Sequence, residues 1–298
     1  MPIFIAKGRK LKYFCFLVAF LLLMFIPEFR NFVLKLFWPK GWVSLSNYQI
    51  LKIVFFSKLP LGVSDLECSG KNSLFKRSDI YDIRKCEQNQ GLKFRKVSSL
   101  EASSPFHPII SVREHCDLIS LYVEMSYILA QANLSHFLAF GSLIGVYRHR
   151  GIIPWDDDID IAANGLEWEA FRRALSCVEG YKLRTNPNMH WKFSRSNSSY
   201  PFIDIFFYTE DENYVWFLTS YVKMEFAHVK KEVFPLTVGM FEDITVPLPA
   251  AMETIVQSDY EPVYCQPPSL NHKSHTPTKS AKSVLCATLN QTYDMYNV

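Results

Sequence analysis

Residues 140–161 read FGSLIGVYRHRGIIPWDDDIDI, and the fold turns on their last eight, Pro154-Trp155-Asp156-Asp157-Asp158-Ile159-Asp160-Ile161. An acidic run normally sits in a solvated loop. This one is wedged between Ile152-Ile153-Pro154-Trp155 and Ile159, Ile161 and Ala162, an apolar frame that predicts a strand from Ile153 to Ala162. Alternation along a strand puts Asp156, Asp158 and Asp160 on one face and Asp157 on the other. Three carboxylates on one face repel one another unless a cation lies among them. Hard oxygen ligands at this spacing suit Mg²⁺ or Mn²⁺, ions that bridge to substrate phosphates.

Working outward, Leu118, Tyr122, Met125 and Leu129 recur at helical spacing and predict a helix from Val112 to Gln131. A short strand from His136 to Phe140 follows, then Gly141-Ser142 turn the chain into a helix from Leu143 to Arg148. A glycine and a serine opening a helix offer backbone N–H groups to phosphate. Asn164 caps an expected helix from Glu167 to Cys177, and Tyr181 to Arg184 and Trp191 to Ser194 alternate as strands. Phe202-Ile203-Asp204-Ile205-Phe206-Phe207-Tyr208 is the strongest strand, and its one carboxylate is costly to bury without a partner. A metal would resolve that cost, as would a salt bridge to Lys or Arg. The element order predicts an α/β (α+β) domain with a mixed sheet flanked by helices.

The stretch from Phe140 to Asp160 resembles the signature of the LicD/fukutin family, transferases with a nucleotidyltransferase-like fold. Pro201-Phe202-Ile203-Asp204-Ile205-Phe206 resembles that family's second acidic strand, and Val233-Phe234-Pro235-Leu236 and Val246-Pro247 its downstream landmarks. The resemblance covers roughly residues 113 to 272. It implies metal-dependent transfer of a phosphorylated small group, phosphocholine- or ribitol-phosphate-like, from a CDP-linked donor to a glycan or glycoconjugate acceptor. On that resemblance the metal ligands are Asp158, Asp160 and Asp204, with Asp156 completing the catalytic set as a candidate general base. Gly141 and Ser142 would hold the donor phosphates, and Arg148, His149, Lys192 and Arg195 would neutralise their charge. Two rival readings share the acidic motif. One is an Asp-x-Asp glycosyltransferase using a sugar nucleotide, and the other is a non-catalytic lumenal module that binds a cation.

Composition sets the remaining bounds. The 298 residues are 49% hydrophobic and 15% aromatic, enough for a substantial core, and a net charge of +3 without a basic stripe gives no footprint for nucleic acid. Lys7, Arg9, Lys10 and Lys12 precede an apolar run from Phe14 to Ile26, a pattern that favours an uncleaved type II signal anchor over a cleaved signal peptide or a buried helix. The expected organisation is a cytoplasmic tail (1–12), an anchor (13–38), a loop-rich stem (39–110), the catalytic domain (111–272) and a surface tail (273–298). The expected location is a Golgi or endoplasmic reticulum membrane with the domain in the lumen. Sequons at Asn133, Asn197 and Asn290 agree with glycosylation there. Six cysteines beyond the anchor permit disulfides, although Cys116 and Cys177 lie in apolar helical patterns that favour plain core packing.

Overall fold

The computed structural model describes residues 68, 80–96, 104–219, 222, 226–278 and 282–298. The expected signal anchor lies outside the described residues. Helix α1 (Ile83–Lys96) leads to α2 (Val112–Gln131), whose start is fixed by a capping box between Ser111 and Glu114. Then come β1 (His136–Leu138), α3 (Phe140–His149) and β2 (Ile159–Asn164). A short 3₁₀ turn capped by the Asn164 side chain leads into α4 (Trp168–Ser176). Strands β3 (Tyr181–Arg184), β4 (His190–Arg195), β5 (Phe202–Glu210), β6 (Tyr214–Phe217) and β7 (Ala227–Val229) complete the main sheet.

That sheet has seven strands in the order β1-β2-β5-β4-β3, with β6 pairing β5 and β7 pairing β6. Only β2 and β5 run parallel; every other pairing is antiparallel. The sheet is therefore mixed, as expected. One face is a continuous apolar layer of Ile159, Ile161, Ile203, Ile205, Trp191 and Phe193, each fully buried. Helices α2 and α4 pack on this side, where α2 supplies Leu118, Leu121 and Met125 and α4 supplies Phe171 and Leu175. Burying side chains of this size contributes roughly 1.5–3 kcal/mol each, so this face anchors the domain.

The chain continues through a single helical turn, α5 (Lys230–Val233), the hairpin β8 (Thr237–Phe241) and β9 (Ile244–Leu248), and α6 (Met252–Asp259). The two-residue strands β10 (Tyr264–Cys265) and β13 (Val284–Leu285) pair with each other, as do β11 (Leu270–Asn271) and β12 (Thr276–Pro277).

Four expectations change. Strand β2 begins only at Ile159, because Pro154-Trp155 turn the chain and Asp156 N–H donates to the Ile153 carbonyl at 2.8 Å. The stretch read as a linker contains α1, tied to α2 by a Cys86–Cys116 disulfide. Cys116 and Cys177 are thus not plain core residues, since Cys177 bonds Cys68 and a third bridge joins Cys265 to Cys286. Finally, the polar tail folds back. Tyr293 donates to the Phe106 carbonyl at 2.6 Å and packs against Trp155, and Asn297 reaches the Tyr147 carbonyl at 2.9 Å.

Candidate active site

The face of the sheet opposite the apolar layer carries the acidic cluster. Register places Asp160 of β2 beside Asp204 of β5, and Asp204 beside Lys192 of β4. A row of carboxylate, carboxylate and ammonium thus crosses three strands. Asp158, Asp160 and Asp204 each offer an oxygen within 4.8 Å of the others, and Asp156, Asp157, Asp158 and His272 form a second such group. Asp158 belongs to both.

Helix α3 closes one side of the cluster. A Cβ added to Gly141 would stand 3.1 Å from Asp156 Oδ2 and 3.4 Å from Asp160 Oδ2, so a glycine lets the helix start approach both carboxylates. Phe140 accepts a left-handed backbone (φ 45°) there, while its ring packs among Phe206, Phe217 and Phe226. Ser142 is buried and its Oγ accepts the Asp160 N–H at 2.8 Å. In this arrangement Ser142 ties the helix to β2.

The electrostatics are unbalanced. Burial, and then the neighbouring carboxylates, push Asp158 and Asp160 well above the usual carboxylate range. Burial lifts Asp156 to about 6. Asp204 goes the other way. Its burial alone would raise it, but His190 at 3.0 Å and Lys192 at 2.6 Å outweigh that and hold it low. The salt bridge foreseen for Asp204 is present, and His190 joins it. A cation among Asp158, Asp160 and Asp204 would offset the remaining repulsion, and an all-oxygen donor set suits Mg²⁺ or Mn²⁺.

Asp157 turns away from the other three. It is fully buried and accepts from His272 Nδ1 (2.9 Å), His272 N (3.3 Å) and Lys273 N (2.8 Å). That bond to Asp157 is the leading cause that raises the His272 pKa above its ordinary value.

Two adjoining clefts meet here. One, of about 660 Å³, is walled by Arg148, Trp155, Asp259, Tyr260 and Tyr264. The other, of about 530 Å³, holds Asp158, Asp160, Asp204, His190, Lys192 and His275. Gly141, Asp156, Leu270 and His272 line both. Arg148 is buried between Trp155 and the Tyr264 carbonyl, and burial lowers its pKa to about 10, which leaves it charged at neutral pH.

The structure does not bring every expected residue to the cluster. Arg195 lies on the apolar face of the sheet, bound to Glu124 of α2 at 2.9 Å, and so is displaced from the role expected for it. His149 accepts from Arg148 Nε at 3.3 Å and packs edge-on against Trp155, supporting the cleft wall. The sequence reading missed His190, although it lies two residues from Lys192 on one strand and therefore shares its face. It also missed His272, whose place depends on a long-range contact. Asn133, Asn197 and Asn290 are all exposed.

Residues 133–251 match the family model for the LicD/FKTN/FKRP nucleotidyltransferase domain. The chain carries a LicD-family domain. An uncharacterized protein of Rickettsia typhi is 29% identical over 140 residues, covering 46% of this chain and 43% of its own. The lipopolysaccharide cholinephosphotransferase LicD of Haemophilus influenzae is 50% identical over 38 residues, covering 13% of this chain and 14% of its own. The chain thus spans less than half the length of either relative. A crystal structure of ANT(2")-Ia with adenylyl-2"-tobramycin overlaps at a TM-score of 0.32 with 12% identity, covering 44% of this chain and 68% of that one.

These relatives also correct the expected location. They come from bacteria, cells without a Golgi or endoplasmic reticulum. Among the described residues no helix is long and apolar enough to cross a membrane. The Golgi or endoplasmic reticulum membrane placement does not stand.

Proposed function

We propose that the domain is a metal-dependent phosphotransferase that moves a phosphorylated small group from a CDP-linked donor to a glycan acceptor. The observation that carries this reading is the row Asp160–Asp204–Lys192, with Asp158 above it and the start of α3 beside it. The LicD-family match supports a phosphotransferase class, and the name of the Haemophilus relative supports a phosphocholine-like transferred group.

In this reading Asp158, Asp160 and Asp204 hold Mg²⁺ or Mn²⁺, which supplies charge neutralisation on the donor's phosphate oxygens. Lys192 bonds both Asp204 oxygens, at 2.6 and 2.8 Å, which holds its ammonium at the cluster where a phosphate would meet it. Arg148 and the first-turn N–H groups of α3 present positive charge to the same cleft system. Asp156, poised at about 6, is suited to take the proton of an acceptor hydroxyl as that oxygen attacks phosphorus. The bond from phosphorus to the cytidine phosphate breaks and CMP leaves.

The full chain incubated with CDP-linked and UDP-linked donors and Mn²⁺ should release CMP from a CDP donor. UDP release from a UDP-sugar, with no CMP from any CDP donor, would favour the glycosyltransferase reading instead.

A further inference from the structure

The segment 270–277, expected to be a domain edge running into a surface tail, is built over the acidic cluster. Strands β11 and β12 form a small hairpin whose turn is pre-formed, since Asn271 Oδ1 accepts from both Ser274 N (2.8 Å) and Ser274 Oγ (2.9 Å). Two latches hold it to the body. Asp157 takes three hydrogen bonds from His272 and Lys273, and the Lys273 ammonium pairs with Glu114 at the start of α2. Asp157 is the one carboxylate of the run that is saturated by partners from the hairpin. Its burial therefore sets where His272 stands. The ring's Nδ1 edge is taken by Asp157 and by Asp158 at 3.2 Å, and the ring lines both clefts, so its other edge meets their junction. His275 lines the same cleft as Lys192.

We infer that Asp157 is a positioning residue that docks this hairpin, and that it turns the free edge of the His272 ring toward the diphosphate of the ligand at the junction of the two clefts. The inference rests on the donor reading above only in naming a diphosphate. A ring clamped at one nitrogen by a buried carboxylate has lost its freedom before the ligand arrives, which favours binding. Gly141 and Asp156 form the other wall of the junction, so the ligand's phosphate would lie between the hairpin and the helix start.

The test uses the full chain, cleared of metal with EDTA, reloaded with Mn²⁺ and titrated with inorganic pyrophosphate in a calorimeter. His272→Ala should weaken pyrophosphate binding about tenfold, the equivalent of one charge-assisted hydrogen bond. His272→Gln, which keeps a polar group at the tip, should recover most of the affinity. Asp157→Asn should weaken binding by a similar factor yet add nothing in the His272→Ala background, whereas a merely structural aspartate would add its own loss. Mn²⁺ affinity measured alone should stay within about twofold in every variant. Should Asp157→Asn fail to fold, His272→Ala carries the test, because that side chain is 34% exposed.

Pyrophosphate binding unchanged by His272→Ala, or absent from the wild type, overturns the inference. So does a loss of Mn²⁺ affinity as large as the loss of pyrophosphate affinity, which would make the ring a metal ligand. His272-dependent pyrophosphate binding with no CMP release from any CDP donor would sink the donor reading and leave the hairpin contact standing.

Discussion

The two faces of the central sheet both bury carboxylates, and they treat them in opposite ways. On the apolar face Glu124 of α2 is fully buried, yet Arg195, Tyr181 and Ser120 each bring a hydrogen bond to it, at 2.9, 2.9 and 2.8 Å. On the other face Asp156, Asp158 and Asp160 lie together, while Lys192 and His190 are committed to Asp204 and His272 to Asp157. A buried charge with matched partners is part of the architecture; breaking such a pair leaves an uncompensated charge in the interior. A buried cluster with too few cations costs stability, and is tolerated where a ligand supplies the missing charge. The contrast separates structure from function without reference to any relative.

The largest effects should come from exchanging carboxylate for amide on each face. Asp160→Asn should lower CMP release by roughly a hundredfold or more, because it removes charge stabilisation at the phosphate. The metal-free melting temperature should hold or rise, since one repelling charge is gone. Glu124→Gln should do the reverse, destabilising by about 3 kcal/mol through the stranded Arg195 while leaving turnover per folded molecule intact. If Asp160→Asn unfolds the protein, or Glu124→Gln abolishes turnover at full stability, the division between the faces fails.

Metal and pH sharpen the same contrast. Mn²⁺ at about a hundred times its Kd should stabilise the wild type and Glu124→Gln by about 2.7 kcal/mol, and Asp160→Asn far less. Asp156, Asp158 and Asp160 have folded pKa values raised above their unfolded ones. Without metal, the stability they contribute is fully present below the unfolded pKa of about 4 and is lost as pH rises through the raised values. EDTA-treated protein should therefore melt progressively lower from about pH 4 toward neutral, and saturating Mn²⁺ should reverse that slope by favouring the ionised forms. A melting temperature that rises with pH in EDTA would contradict the burial of these groups.

Much of this asymmetry was legible in the sequence, for a physical reason. Period-two alternation through Asp158-Ile159-Asp160-Ile161 and around Trp191 and Phe193 assigns one apolar and one polar face, and the helix from Val112 to Gln131 emerges at its expected bounds. What stayed illegible depends on contacts between distant segments. Arg195 and Lys192 are three residues apart, and β4 starts and ends one residue beyond the expected span, so the sides they occupy became clear only with the register to β5. Asp157 reaches a hairpin 115 residues away, and nothing local in a polar run rich in Ser, His and Lys announces a docking site. The disulfides are another case, because apolar helical spacing around Cys116 fits core packing and cross-linking equally well.

The smallest predicted effect decides where one residue belongs. Ser142 sits at the helix start that the resemblance assigns to donor phosphate, but its Oγ accepts the Asp160 backbone N–H at 2.8 Å. If its task is to hold β2 against α3, Ser142→Ala strands that N–H and should cost about 1 kcal/mol of stability, the usual net worth of such a bond. Donor KM should then stay near the wild-type value while kcat falls modestly, because Asp160 loses its alignment and the donor loses no contact. Ser142→Thr, which keeps the oxygen, should recover kcat if the added methyl fits the buried site. A rise in donor KM with stability unchanged would instead make the hydroxyl a phosphate contact and extend the functional face by one residue onto the helix.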